Sequence, residues 1–312
     1  MMEKRSRLST AAVNSPELYL SPEDWARLQA VNIRWNDDIV AHRAVVLDIY
    51  GPLVRAADNS ATTVSRDLPY GEDSRHRLDI FTPAGAESRP VLVFMHGGAF
   101  TRGSKSVDGA IYDNVPLWFA RQGFVGVNIE YRLAPAARFP AGAQDLALAI
   151  QWIADNIGDH GGDPRKIILM GHSAGGCHVA SYLLDPETGV APHDSIVAAI
   201  VVSGRLRLDV RPGNPNANNV AAYCGDDPAV LERCSPVNHV ANARWPMLIA
   251  IAEYENRYLD AYGLEFASRL GDAQGRAPWF VQLRGHNHTS AVAHFNTDED
   301  WFGRHILAFL KS

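Results

Sequence analysis

KIILMGHSAGG, Lys166 to Gly176, is the stretch that decides the fold. It opens as a short apolar run rich in β-branched residues, passes a tight glycine-flanked turn, and continues into residues of helical composition. A strand that ends in G-x-S-x-G and runs straight into a helix is a nucleophile elbow. Gly171 and Gly175 leave room where side chains would strike neighbouring backbone, and the serine hydroxyl is thereby presented at the sheet edge. Ser173 is the candidate nucleophile. The competing reading is a phosphate-binding turn, but neither G-x-G-x-x-G nor a P-loop lysine accompanies these glycines.

Outward from the elbow, β-rich apolar runs alternate with longer stretches of helical period. The runs are Leu78 to Phe81, Val91 to Met95, Phe124 to Ile129, Lys166 to Met170, Ile196 to Val202, Met247 to Ala252 and Trp279 to Leu283. Between them the spacing predicts helices near Tyr112 to Gln122, Ala143 to Asn156, Ala174 to Leu184, Tyr258 to Leu270 and Asp300 to Leu310. Near-continuous apolar strands separated by helices imply an α/β fold whose mostly parallel sheet is covered on both faces, since parallel strands need crossover helices. Chemistry in such a sheet belongs outside the carboxyl ends of the strands. The catalytic domain is expected over residues 56–312.

Two regions break the alternation. Residues 1–55 contain a predicted helix from Ser21 or Pro22 through Arg34, carrying Trp25, Leu28 and Val31, with Trp35 next to it. Residues 204–244 include RPGNPNANN and interrupt the sheet pattern. Both are candidate cap elements, with simple packing of the N-terminal helix on the sheet as the alternative.

The second chemical signal is HGGAF, His96 to Phe100, directly after the strand VLVFM. A tetrahedral oxyanion needs convergent N–H donors, and residues without side chains let backbone approach closely. Gly97 and Gly98, with the Ala174 amide behind the serine, are the candidate oxyanion hole. His96 is expected to hold the loop in place.

With YRLAPAARFPAGAQD (Tyr131 to Asp145) and the GGDPRKI lead-in to the elbow, these motifs resemble the hormone-sensitive-lipase-like branch of the α/β-hydrolases from about Leu78 to the C-terminus. Ala99 stands where that branch usually has glycine, and His172 where it often has an acidic residue; neither change removes a catalytic atom. The resemblance implies the chain order nucleophile, acid, histidine. It assigns the acid in AEYENRYLD to Glu255, with Glu253 as a conformational anchor and Asp260 on the following helix. In GHNHTS it selects His288 as the base over His286. Phe100, His172, Arg205 and His286 are candidate substrate-pocket residues, and Arg205 and Arg207 are candidates to recognise a carboxylate near the pocket mouth.

The resemblance thus implies a serine hydrolase that cleaves small carboxylic esters through an acyl-enzyme, with no cofactor. VVSGRLRLD and YENRYLDAYGLEFASRL also resemble arylformamidase-like members, which makes amide or N-formyl cleavage the alternative. A catalytically silent small-molecule binding protein is the alternative of another class; the presence of serine, acid and histidine weighs against it. The superfamily implies a homodimer.

Composition narrows the partners. The chain has 312 residues, 46% hydrophobic and 21% charged, which suits a globular core. A formal charge of -6 without a basic run argues against nucleic acid and anionic lipid. The N-terminal residues lack a continuous apolar h-region, so no export signal and a cytoplasmic, non-membrane protein are expected. Three cysteines, Cys177, Cys224 and Cys234, are expected as reduced thiols. Despite twelve histidines no metal is expected, because H-E-x-x-H and cysteine-cluster spacings are missing.

Overall fold

Strand segments that are apolar on both sides dictate a buried sheet, and the computed structural model, which describes residues 15–312, contains one eight-stranded sheet. Its strands are β1 (Thr62–Pro69), β2 (Arg77–Pro83), β3 (Arg89–Met95), β4 (Val125–Ile129), β5 (Gly162–His172), β6 (Ile196–Val202), β7 (Met247–Tyr254) and β8 (Trp279–Asn287). They lie side by side in the order β1-β2-β4-β3-β5-β6-β7-β8. The pairs β1–β2 and β2–β4 are antiparallel; from β4 to β8 all neighbours are parallel. The carboxyl ends of β3, β5, β7 and β8 therefore open on one edge, where HGGAF, Ser173, Glu255 and His288 follow their strands.

The helices are α1 (Pro22–Ile33), α2 (Ile39–Ala56), α3 (Asn114–Arg121), α4 (Ala141–Asn156), α5 (Ala174–Leu184), α6 (Ala217–Cys224), α7 (Pro228–Arg233), α8 (Leu259–Gln274), α9 (Ser290–Ala293) and α10 (Trp301–Phe309). Alternation along each strand sends side chains to opposite faces. Val91, Val93 and Met95 join a core with Leu146 of α4, Val179 of α5 and Phe266 of α8. Leu92 and Phe94 join a second core with Val46 and Tyr50 of α2, Phe119 of α3 and Phe302 of α10. Each fully buried aliphatic or aromatic side chain contributes roughly 1.5–3 kcal/mol of transfer free energy, so both layers fix the sheet.

The predicted strands and helices are all present, with ends shifted by a few residues. Two elements differ from expectation. Residues 39–56, without a predicted element, form α2, in which Val46, Ile49, Tyr50 and Val54 are buried. Pro52 interrupts the helical signature, but its ring points outward while those neighbours pack on the sheet. β1 is an edge strand with a half-exposed, irregular burial pattern and a register shift between Ser65 and Leu68, so it carries no continuous apolar run. Residues 1–14, over which the expectation of no export signal is read, lie outside the described residues. Among the described residues no helix is long and apolar enough to cross a membrane.

The 204–244 segment supplies α6 and α7. Leu208, Val220, Tyr223 and Leu231 from this segment pack with Phe100, Ala174 and Cys177. That cluster seats the segment on the oxyanion loop and on the first turn behind the serine.

Candidate active site

The elbow forms because β5 must reverse direction into α5 within one residue. Ser173 takes that turn with φ 57° and ψ −116°, a conformation that L-residues other than glycine rarely adopt and that costs on the order of 1–3 kcal/mol. The turn is held by the Ser173 N–H donating to the Val202 carbonyl (3.0 Å) and by Arg205 N–H donating to the Ser173 carbonyl (3.1 Å). A Cβ on Gly175 would collide with the Met95 carbonyl, so only glycine lets α5 sit against the oxyanion loop. Gly98 has φ +147° and a Cβ there would strike the Arg102 backbone, which restricts that position too.

The acid and the base arrive together because β7 and β8 are parallel neighbours. Tyr254 pairs with Asn287, and His288 N–H donates to the Tyr254 carbonyl (3.1 Å), placing residues 255 and 288 side by side. His288 Nδ1 lies 2.7 Å from Glu255 Oε2, and His288 Nε2 lies 3.0 Å from Ser173 Oγ. Nδ1–H must donate, since the carboxylate only accepts; Nε2 is then free to accept the serine proton. Glu255 Oε1 accepts from the Ala252 N–H (2.8 Å), which fixes the carboxylate plane. Glu255 and His288 are nearly buried, whereas Ser173 is half-buried and reachable from solvent.

Residues that sequence reasoning missed hold this pair from outside. Asn36 Nδ2 donates to the Glu255 carbonyl (2.9 Å) while its Oδ1 accepts from Arg257 N–H (2.9 Å). Trp35 Nε1 donates to Asn256 Oδ1 (2.8 Å). The turn after α1 thus braces the acid loop, a long-range contact with no sequence motif of its own. Glu253 accepts from Gly285 N–H (2.7 Å), an anchor between the two catalytic loops, and Asp260 lies in the first turn of α8.

His172 does not line a substrate pocket, contrary to expectation. It is buried, and its Nε2 donates to the His288 carbonyl (2.9 Å), so Nδ1 is the acceptor facing the Tyr112 hydroxyl at 3.4 Å. Burial, followed by the proximity of His288, holds its pKa well below 6.5, and the ring stays neutral. Burial raises the phenol pKa of Tyr112. Tyr112, His172 and the His288 backbone therefore form one hydrogen-bonded connection beneath the site.

His286 is likewise not a pocket residue. It is fully buried, with Nδ1 3.1 Å from Ser290 Oγ and Nε2 2.9 Å from Glu299 Oε1, so both nitrogens are committed inside the fold. His96 faces the Gly97 carbonyl (2.7 Å) and Glu130 (2.9 Å) and carries the Tyr131 hydroxyl on its own carbonyl (3.0 Å), a loop-holding arrangement. Phe100 stacks on Tyr223 with ring centroids 4.4 Å apart and planes 5° apart, joining the oxyanion loop to α6. Arg207 is spent on Glu265 and Glu232 at the surface. Arg205 is buried rather than on the surface: it is 2% exposed, and its backbone N–H meets the Ser173 carbonyl directly behind the elbow. Among the described residues no group of three or more His, Cys, Asp or Glu could hold a metal ion.

A strained serine at the end of a parallel strand, with the acid after β7 and the histidine after β8, defines an α/β-hydrolase, and the chain has that fold. Comparisons agree. The BD-FAE family model matches residues 78–184. Phenmedipham hydrolase of Pseudarthrobacter oxydans is 38% identical over 202 residues, 58% of this chain and 40% of that protein. Liver carboxylesterase 1F of Rattus norvegicus is 35% identical over 185 residues, 54% of this chain and 31% of that protein. The chain thus spans less than half the length of these relatives. The hyperthermophilic esterase from the archaeon Pyrobaculum calidifontis superposes with a TM-score of 0.71 at 23% identity, covering 94% of this chain and 97% of that one.

Proposed function

We propose that this protein is a serine hydrolase of small carboxylic esters acting through an acyl-enzyme. One observation carries the reading: Ser173, His288 and Glu255 stand in hydrogen-bonding line at 3.0 and 2.7 Å. His288 Nε2 takes the Ser173 proton as Oγ attacks the ester carbonyl, and Glu255 steadies the imidazolium that results. The Gly97, Gly98 and Ala174 amides are assigned to the oxyanion. His288 then gives the proton to the leaving alcohol, and water releases the acid by the same route. Segment 204–244 serves as the cap over the acyl or alcohol group. The liver carboxylesterase and the esterase structure support esters over the amide alternative. The complete triad geometry supports an enzyme over a silent binding protein. Cys177, Cys224 and Cys234 as free thiols support a reducing, cytoplasmic setting.

The test is labelling with a fluorophosphonate probe. Wild type should be labelled and Ser173→Ala should not; equal labelling of both proteins overturns the assignment.

A further inference from the structure

Arg205 presents a problem of electrostatics. Its side chain is 2% exposed, and among the described residues neither terminal guanidinium nitrogen has a hydrogen-bond partner. Arginine stays protonated in proteins, and a buried cation without an anion is among the costliest arrangements a fold can carry. Placement makes the cost informative: Arg205 follows β6 by three residues, and its backbone N–H grips the carbonyl of Ser173 itself. Tyr262, Asp209, Cys177 and Glu255 are the titratable groups whose charge acts on the guanidinium.

Both nearby carboxylates are already committed. Glu255 is divided between His288 and the Ala252 N–H. Asp209 accepts from the Tyr262 hydroxyl and from Asn214 Nδ2 (3.1 Å), and Arg211 lies 3.6 Å from it. The fold therefore offers two acids in the neighbourhood and pairs neither with Arg205. Arg207, two residues on, is satisfied twice over by Glu265 and Glu232, so ion pairing is readily available to this segment.

We propose that Arg205 anchors a carboxylate carried by the substrate, so that the preferred esters bear an anionic group on the acyl or the alcohol portion. This rests on the ester-hydrolase reading of the site. A planar guanidinium suits a carboxylate because parallel N–H donors can engage both oxygens. The cap segment packs Leu208, Val220 and Leu231 into an apolar cluster with Phe100 and Ala174 beside the elbow, and an apolar setting of that kind strengthens a charge pair by excluding water.

The experiment uses the full chain and the variants Arg205→Met and Arg205→Lys. Three probes are hydrolysed: neutral 4-nitrophenyl hexanoate, the mono-4-nitrophenyl ester of adipic acid, with its carboxylate on the acyl side, and 3-acetoxybenzoate, with its carboxylate on the leaving side. The ratio of kcat/KM for anionic to neutral ester should fall roughly 30-fold in Arg205→Met in at least one anionic arm and less in Arg205→Lys. Independently of turnover, adipate should raise the Tm of wild type and of Ser173→Ala and leave that of Arg205→Met unmoved. The Tm of Arg205→Met without adipate should not drop, since an unpaired charge has been replaced by an apolar chain of similar length. An unchanged ratio in both arms, equal adipate stabilisation of all proteins, or collapse of Arg205→Met overturns the proposal. Phosphonate labelling at Ser173 without any Arg205 dependence defeats this inference alone. Arg205-dependent adipate stabilisation without labelling defeats the hydrolase reading and leaves the anion site standing.

Discussion

Two histidine–glutamate pairs lie two residues apart at the end of β8, and they do opposite work. His286 meets Glu299 at 2.9 Å and His288 meets Glu255 at 2.7 Å, so distance does not separate them. Connectivity does. The second nitrogen of His286 is met by Ser290 inside the core, and Glu299 also accepts from Tyr50 of α2 at 3.3 Å. The second nitrogen of His288 faces a half-buried serine at the open edge of the sheet. A histidine–carboxylate pair becomes catalytic when one imidazole nitrogen is kept for a reacting group, and structural when both are spent on the fold.

His288→Ala breaks the comparison most severely. Removing the base should lower kcat on a simple 4-nitrophenyl ester by roughly a millionfold, because nucleophile and base act as a unit. Steady-state turnover together with a thermal melt checks this, and the melt should move little. Activity within tenfold of wild type would mean that the two pairs have been assigned the wrong way round.

His286→Ala should show the reverse profile. Burial alone pushes the Glu299 carboxyl up, but contact with His286 more than offsets that and holds it below the usual carboxylate range. Deleting the histidine strands a carboxylate that is 1% exposed, a loss of about 3 kcal/mol or more. Denaturant unfolding reads that loss, while turnover per folded molecule changes far less than in His288→Ala. A stable but inactive His286→Ala would place His286 in the chemistry after all.

How far these roles can be read from the sequence depends on the range of the forces involved. The elbow at Ser173 and the run His96 to Phe100 are legible because local sterics demand glycine beside a strand end, and Gly98 and Gly175 keep that signature in the chain. Strands β3 to β7 are legible because burial on both faces writes near-continuous apolar stretches, whereas edge strand β8 shows only the alternation of buried Val281 and Leu283 with exposed Phe280, Gln282 and Arg284. β1 writes none, being half-exposed at the sheet edge. α2 does carry buried residues at helical spacing, Val46, Ile49, Tyr50 and Val54, but Pro52 masks them and tertiary packing overrides the local penalty. The commitments of His172 and His286 depend on partners far along the chain, Tyr112 and the Tyr50–Glu299 pair, and no local pattern encodes which ring nitrogen is spent. The unpaired state of Arg205 is a fact of packing and is invisible in VVSGRLRLD.

His178 sharpens the contrast from a third side, as a buried histidine with no carboxylate at all. Its Nδ1 lies 3.3 Å from the Tyr223 hydroxyl and its Nε2 has no partner among the described residues. Burial, then the neighbouring His96, pushes its pKa from 6.5 down to about 3. In the unfolded chain the ring takes up a proton near pH 6.5, while in the fold it stays neutral until about pH 3. The unfolded state therefore binds more protons in that window, so this residue lowers stability as pH falls from about 6.5 towards 3, by up to about 1.4 kcal/mol per pH unit. His178→Phe keeps a ring against Gly142 and removes the titration. Its Tm should lose less than that of wild type between pH 7 and about pH 4.5, on top of any constant offset from the lost Tyr223 contact. Parallel Tm-against-pH curves for the two proteins would show that His178 is protonated within the fold, paired by a group that the packing around Phe100, Tyr131 and Tyr223 does not supply.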